Sequence, residues 1–173
     1  MRALLVLAFC QLISMMPSLA ASNPTFPSLK ASDLNKQEVQ LPGGLKGEWN
    51  LLLIGFLREH QNDIDTWLPS LPAIVQSHPK LAYYELPVIA RSNFMLRWVI
   101  ATGMRGGIPD KAQRARTITL HLDKKPFRDA LGLATEDRIY VLLVNKAGEV
   151  LWRAEGTASS DKLQSLESFL DGR

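Results

Sequence analysis

Cysteine is nearly missing: Cys10 is the single one among 173 residues, and it lies inside an N-terminal apolar stretch. A disulfide, a thiol nucleophile and a cysteine-type zinc site each need sulfur in the folded domain, so none of the three is expected. An excess of one charge sign is missing too. The 20 Lys plus Arg oppose 17 Asp plus Glu, a formal +3, which is no polycationic face and gives nucleic-acid binding no support. Internal repeats and low-complexity tracts are also absent. What is present is 46% apolar and 21% charged residues, the profile of one domain able to bury a core without disulfides.

Met1 and Arg2 precede a mostly apolar run, Ala3 to Met16, which ends in Pro17-Ser18-Leu19-Ala20-Ala21. One positive charge, an apolar segment too short to span a bilayer and a small-residue end have the form of a secretory signal peptide cut after Ala20. The expected organisation is a signal peptide over 1–20, an extended lead-in over 21–36 marked by Pro24 and Pro27, and a folded domain over 37–173. The expected location is periplasmic or secreted.

Asn50 to Phe56 is a short continuous apolar run, which reads as a central strand buried on both faces. Ile64, Trp67, Leu68, Leu71, Ile74 and Val75 then recur at helical spacing, with Asn62 or Asp63 as cap. Leu81 to Ile89 reads as a strand and Asn93 to Met104 as a helix carrying Phe94, Met95, Trp98 and Val99 on one face. Arg105 to Arg116 reads as a polar loop, Thr117 to Leu122 as a strand, and Pro126 to Leu133 as a short helix started by its proline. Ile139 to Val144 and Glu149 to Trp152 form a hairpin around Asn145-Lys146-Ala147-Gly148, with glycine where positive φ is needed. Ser159 to Leu170 closes the chain as an amphipathic helix, with Ser160 or Asp161 near its cap. The order is α/β: parallel strands first, an antiparallel pair last.

Leu52-Leu53-Ile54-Gly55-Phe56, the helix with Pro69-Ser70-Leu71, and Tyr140 to Trp152 together resemble the thioredoxin-like superfamily, in its branch of exported thiol oxidoreductases and peroxiredoxins. That resemblance implies a mixed sheet with flanking helices and a C-terminal hairpin and helix. It also places Gln61 and Ile64 where the Cys-x-x-Cys pair stands, and Arg138 or Ile139 at the position of the family's cis-proline. A non-proline cis bond costs about 2.5–4 kcal/mol, so a trans peptide is expected there. Phe127 to Leu133, Ile139 to Leu143 and Val150 to Gly156, with Tyr140, Trp152 and Gly156 as the strongest points, are similar to the assembly-factor family of the mitochondrial ATP synthase. That family acts by binding rather than by catalysis.

Arg58 to Asp63 lies at the carboxyl end of the proposed central strand, where open α/β sheets bind ligands. His60 with Glu59 or Asp63 is a candidate acid/base set, because imidazole titrates near neutrality and a carboxylate can orient it; a polar loop with a helix cap is the plainer reading. No Ser, Thr or Lys stands beside them as nucleophile. His60, His78 and His121 are too far apart for a metal-ligand motif, and neither a metal nor another cofactor is expected. Arg105, Lys111, Arg114 and Arg116 make the middle segment basic, followed by Lys124, Lys125 and Arg128. The first four are candidate contacts to an acidic protein partner or an anionic membrane surface. The function expected is a redox-inactive, thioredoxin-like binding or assembly-factor module of the cell envelope. Its alternatives are a hydrolase-type or other acid/base enzyme using Glu59, His60 and Asp63, and a general envelope or stress protein with no dedicated site.

Overall fold

The structure, a computed structural model, describes residues 24–91 and 94–173. The expected signal peptide with Cys10 lies outside the described residues, and so do the side chains of Phe94, Met95, Trp98 and Val99.

Seven strands form one mixed sheet: β1 (Leu29–Asp33), β2 (Glu38–Leu41), β3 (Trp49–Gly55), β4 (Leu81–Ala90), β5 (Ile118–Leu122), β6 (Tyr140–Asn145) and β7 (Val150–Glu155). Their order across the sheet is β2-β1-β5-β4-β3-β6-β7. β3 pairs parallel with β4 and antiparallel with β6, and β4 pairs parallel with β5. β3 is central for a chemical reason. Its run Asn-Leu-Leu-Leu-Ile-Gly is wholly buried, which only a strand covered on both faces allows.

The described residues form six helices: α1 (His60–Asp65), α2 (Leu71–Ser77), α3 (Phe94–Gly107), α4 (Lys111–Arg116), α5 (Lys124–Leu131) and α6 (Ser160–Asp171). Strand alternation sends Leu52, Ile54, Leu86, Val88, Leu142 and Val144 to one face, where they meet Phe127 and Leu131 of α5. Leu51, Leu53, Val141 and Leu143 go to the other, against Ile64 of α1, Leu71 and Ile74 of α2, and Leu166 and Leu170 of α6. The C-terminal hairpin turns through Gly148 at φ 90°, and a β-carbon there would come within 2.7 Å of the Phe26 carbonyl oxygen.

Four elements differ from the sequence reading. The single helix expected from Asn62 is two short ones, because Pro69 and Pro72 each remove an amide donor from the i→i−4 ladder. The intervening turn runs on three-residue spacing, Trp67 N to the Ile64 oxygen at 2.9 Å and Ser70 N to the Trp67 oxygen at 3.2 Å, so Ile64, Trp67, Leu71 and Ile74 still all point inward. Lys111–Arg116, expected as loop, is helical because the Asp110 carboxylate accepts the amides of Ala112 and Gln113 at 3.2 and 2.9 Å. Residues 29–36, expected as lead-in, form β1 and its turn, and β1 pairs with both β2 and β5. The last helix is capped by Ser159, one residue ahead of the expected Ser160 or Asp161.

Candidate functional site

The carboxyl end of β3 leads straight into α1. Gly55 makes that turn possible: a β-carbon on it would meet the His60 and Ile64 side chains at 3.3 and 3.4 Å. Phe56 is buried, whereas Leu57, Arg58 and Glu59 project into solvent. Leu57 is the large apolar side chain that stands exposed among the described residues.

His60 opens α1 and turns inward. It is 4% exposed, its Nδ1 accepts the Phe56 amide at 3.1 Å, and its buried Nε2 has no hydrogen-bond partner. An Nδ1 that accepts leaves the ring proton on Nε2. The acid/base set of Glu59, His60 and Asp63 is therefore not assembled. Because the helix starts at residue 60 and not after Asn62, His60 faces the sheet while Glu59, one position earlier, faces solvent. The Asp63 carboxylate does not orient the ring either: Nδ1 is taken by the Phe56 amide and Nε2 has no partner, while the Asp63 backbone carbonyl accepts from the Thr66 amide and hydroxyl.

Gln61 is the outward residue of the same turn. Its amide nitrogen donates to Asp65 at 2.8 Å and to Glu85 of β4 at 3.1 Å. Glu85 is 3% exposed, lies opposite Leu53 on β3 and bridges Thr117 on its other side. Burial raises its carboxyl above the ordinary carboxylate range; the bond from Gln61 opposes that rise and the nearby Asp65 charge adds to it. The sequence reading did not single out Glu85. Its signal is one acid within the otherwise apolar strand Leu81–Ala90. The positions that the thioredoxin-like resemblance assigns to thiols thus hold an exposed carboxamide, Gln61, and the fully packed hydrocarbon of Ile64. At the cis-proline position Ile139 is buried and its peptide is trans; the cis bond among the described residues is Leu41–Pro42.

The basic residues of the middle segment separate into two kinds. Arg105 closes α3 and donates from Nε to the Leu34 carbonyl at 2.8 Å. Arg114 donates to the Asn35 side chain at 3.1 Å and to the Ile108 carbonyl at 3.3 Å. Charge reversal at either therefore removes a contact of the fold. Lys111 and Arg116 remain exposed on α4. Arg116 lies over the Tyr83 ring, 4.8 Å from its centroid, and donates to its hydroxyl at 2.8 Å. The second basic run is paired within the fold: Lys124 and Arg128 share Glu136 at 3.1 and 3.2 Å, and Lys125 pairs with Asp129 at 2.7 Å.

His78 bonds the Ile74 carbonyl and the Asp171 carboxylate, both at 3.0 Å, and serves as a link between α2 and α6. Trp67 is fully buried, donates to the Gly156 carbonyl at 3.0 Å and meets Trp152 edge-on with centroids 6.5 Å apart. Among the described residues no three His, Cys, Asp or Glu side chains are grouped to hold a metal, and no helix is long and apolar enough to cross a membrane.

No family model matches the sequence, that of the assembly-factor family included, and no curated protein matches it. Solved structures do match. The thioredoxin domain of a thiol-disulfide oxidoreductase from Bacteroides vulgatus aligns over 87% of this chain and 98% of its own, at 18% identity and a TM-score of 0.52. A thiol:disulfide interchange protein from a Bacteroides species aligns over 88% and 91%, at 16% identity and a TM-score of 0.53. A candidate electron transfer protein from Aquifex aeolicus VF5 aligns over 88% and 100%, at 11% identity and a TM-score of 0.60. With the sheet order β4-β3-β6-β7 and helices on both faces, these likenesses define the class: the fold is thioredoxin-like. Within that fold the described residues carry no cysteine at all.

Proposed function

We propose that this chain is a redox-inactive, thioredoxin-like binding module of the cell envelope that holds or helps assemble a protein partner. One observation carries the reading: the turn of α1 that offers two thiols in the resembled enzymes offers Gln61 and Ile64 here. Disulfide exchange proceeds by thiolate attack on sulfur, and neither an amide nor a hydrocarbon can perform it. The acid/base alternative has less support, because His60 is buried and bonded to a backbone amide instead of a carboxylate. An envelope location is supported by the charged, apolar and small-residue order of residues 1–21.

The test is crosslinking of the tagged protein in its own cells after fractionation. The expected result is protein starting near Ala21 in the extracytoplasmic fraction, crosslinked to a recurring protein that an unrelated exported control does not capture. Cytoplasmic protein retaining Met1, or an adduct pattern equal to the control's, would overturn the reading.

A further inference from the structure

β4 is longer than the strand beside it. β3 accompanies it from Leu81 to Pro87. On the opposite side β5 begins only at the Glu85–Thr117 bridge and pairs from Val88 to Ala90. Leu81 to Tyr84 therefore have a strand on one side only. Trp49 N donates to the Lys80 oxygen, so in this parallel register Ala82 and Tyr84 bond toward β3, and the Leu81 amide donates to the His78 oxygen. The Leu81 carbonyl and the N–H and C=O of Tyr83 face the open side, groups of the kind that pair readily with an added strand.

The space beside this edge is a groove of about 230 Å³. Its far wall is α4, which turns the small Ala112 and Ala115 and the terminal Arg116 toward it, and Val75 of α2 adds apolar surface. Two cations stand at it and no acidic residue lines it. Arg116 is held in place by stacking on Tyr83 and by its bond to the tyrosine hydroxyl, which leaves guanidinium N–H groups for another acceptor. Lys46 is anchored through its backbone amide, which donates to the Tyr84 hydroxyl at 3.0 Å, and its side chain is exposed without a carboxylate partner. Of the other cations nearby, Lys80 pairs with Glu48 at 3.1 Å, Arg105 and Arg114 bond within the fold, and Lys111 is exposed on α4 outside the lining. The nearest acid on α4, Asp110, is committed to its helix cap.

We propose that this groove takes a short, extended, acidic segment of a protein partner, its main chain along the free edge of Leu81–Tyr84 and a carboxylate on Arg116 and Lys46. The proposal rests on the binding-module reading and names the partner chemistry. An added strand supplies main-chain hydrogen bonds, and a pre-positioned guanidinium favours a carboxylate through charge-assisted bonds. The groove lies at the amino ends of the parallel strands β3 and β4, opposite the β3–α1 turn that holds Gln61. A flat anionic membrane surface would meet the rim cations but not the strand edge.

The experiment is an amide-resolved NMR titration of the protein with the capped peptide Val-Glu-Val-Glu, its counterpart Val-Gln-Val-Gln, and phosphatidylglycerol vesicles. The expected result is saturable shifts at Tyr83, Ala115 and Arg116 with the glutamate peptide, binding at least about tenfold weaker for the glutamine peptide, and weakening with salt. Lys46→Glu with Arg116→Glu should weaken the glutamate peptide by at least about tenfold. Ala115→Leu, which fills the groove without changing charge, should do the same while circular dichroism stays that of the wild type. No saturable shift at millimolar peptide, equal binding of both peptides, or shifts produced by vesicles alone would overturn the proposal. If Ala115→Leu captures the same crosslinked partner as wild type, the groove assignment falls and the binding-module reading stands. If wild type captures no partner yet binds the glutamate peptide at these amides, the reverse holds.

Discussion

Trp67→Ala is expected to destabilise the protein by about 3–5 kcal/mol, the range for removing a large buried aromatic. For a domain of this size that corresponds to a fall in Tm of roughly 6–20 °C. Trp67 fills the corner between α1 and α2, fully buried, and meets Trp152 of β7 edge-on. Its indole N–H also satisfies the carbonyl of Gly156, which itself adopts φ 68°. Truncation thus opens a cavity and strips a partner from the backbone at once. Trp67→Phe should fall between, keeping most of the packing and losing the hydrogen bond. Thermal melts followed by far-ultraviolet circular dichroism measure this. An alanine variant melting within about 2 °C of wild type, less than 1 kcal/mol by the same conversion, would contradict the role given to this corner.

Glu85→Gln should stabilise the protein at neutral pH, by about 1–3 kcal/mol. Glu85 is buried in β4, and its main polar partner is the Gln61 amide. Burial raises its carboxyl above the unfolded value of 4.5, so the folded state binds more protons than the unfolded state in the interval between the two values. Stability then falls as pH rises through that interval, and the penalty is fully present above the folded value. Glutamine has nothing to ionise and can still accept from Gln61. The two proteins should therefore be nearly equally stable below pH 4.5 and diverge as pH rises. Urea unfolding at a series of pH values tests this. A variant less stable than wild type at neutral pH would show that the ionised carboxylate is a stabilising partner.

Much of the scaffold is legible in the residues because it rests on burial and turn chemistry. The apolar run of β3, the Gly148 hairpin and the inward series Leu166 and Leu170 each reflect one dominant local cause. The N-terminal hairpin is illegible for the opposite reason. β1 alternates half-buried and exposed residues along Leu-Lys-Ala-Ser before the buried Asp33, and its turn is held by Asp33, whose carboxylate accepts the amides of Asn35 and Gln37, both at 2.8 Å. α4 hides behind Gly and Pro, with the signal confined to the Asp110 cap.

The turn after β3 is legible in the sequence, but its orientation is not: α1 starts at His60 and not after an Asn62 cap, which reverses which side chains face inward. His60 exchanges a catalytic appearance for a buried bond to Phe56. The pairing of Gln61 with Glu85 spans 24 positions, and only the parallel register of β3 and β4 creates it. The groove at Arg116 depends likewise on where β5 begins, a property of strand register that no local pattern records.

The proposed function places Gln61 and Ile64 where the resembled enzymes hold their thiols. The most direct measurement compares protein beginning at Ala21 with its Gln61→Cys, Ile64→Cys double variant, by insulin reduction and by intact mass after mild oxidation. Positions 61 and 64 lie one turn apart on α1, a separation that a disulfide can bridge. The account predicts insulin reduction at the buffer blank for the wild type. It predicts an intramolecular disulfide in the double variant, seen as the loss of two hydrogens from the monomer, with insulin reduction above the blank. Thiol-dependent turnover by the wild type, or a double variant whose cysteines oxidise only between molecules, would contradict it.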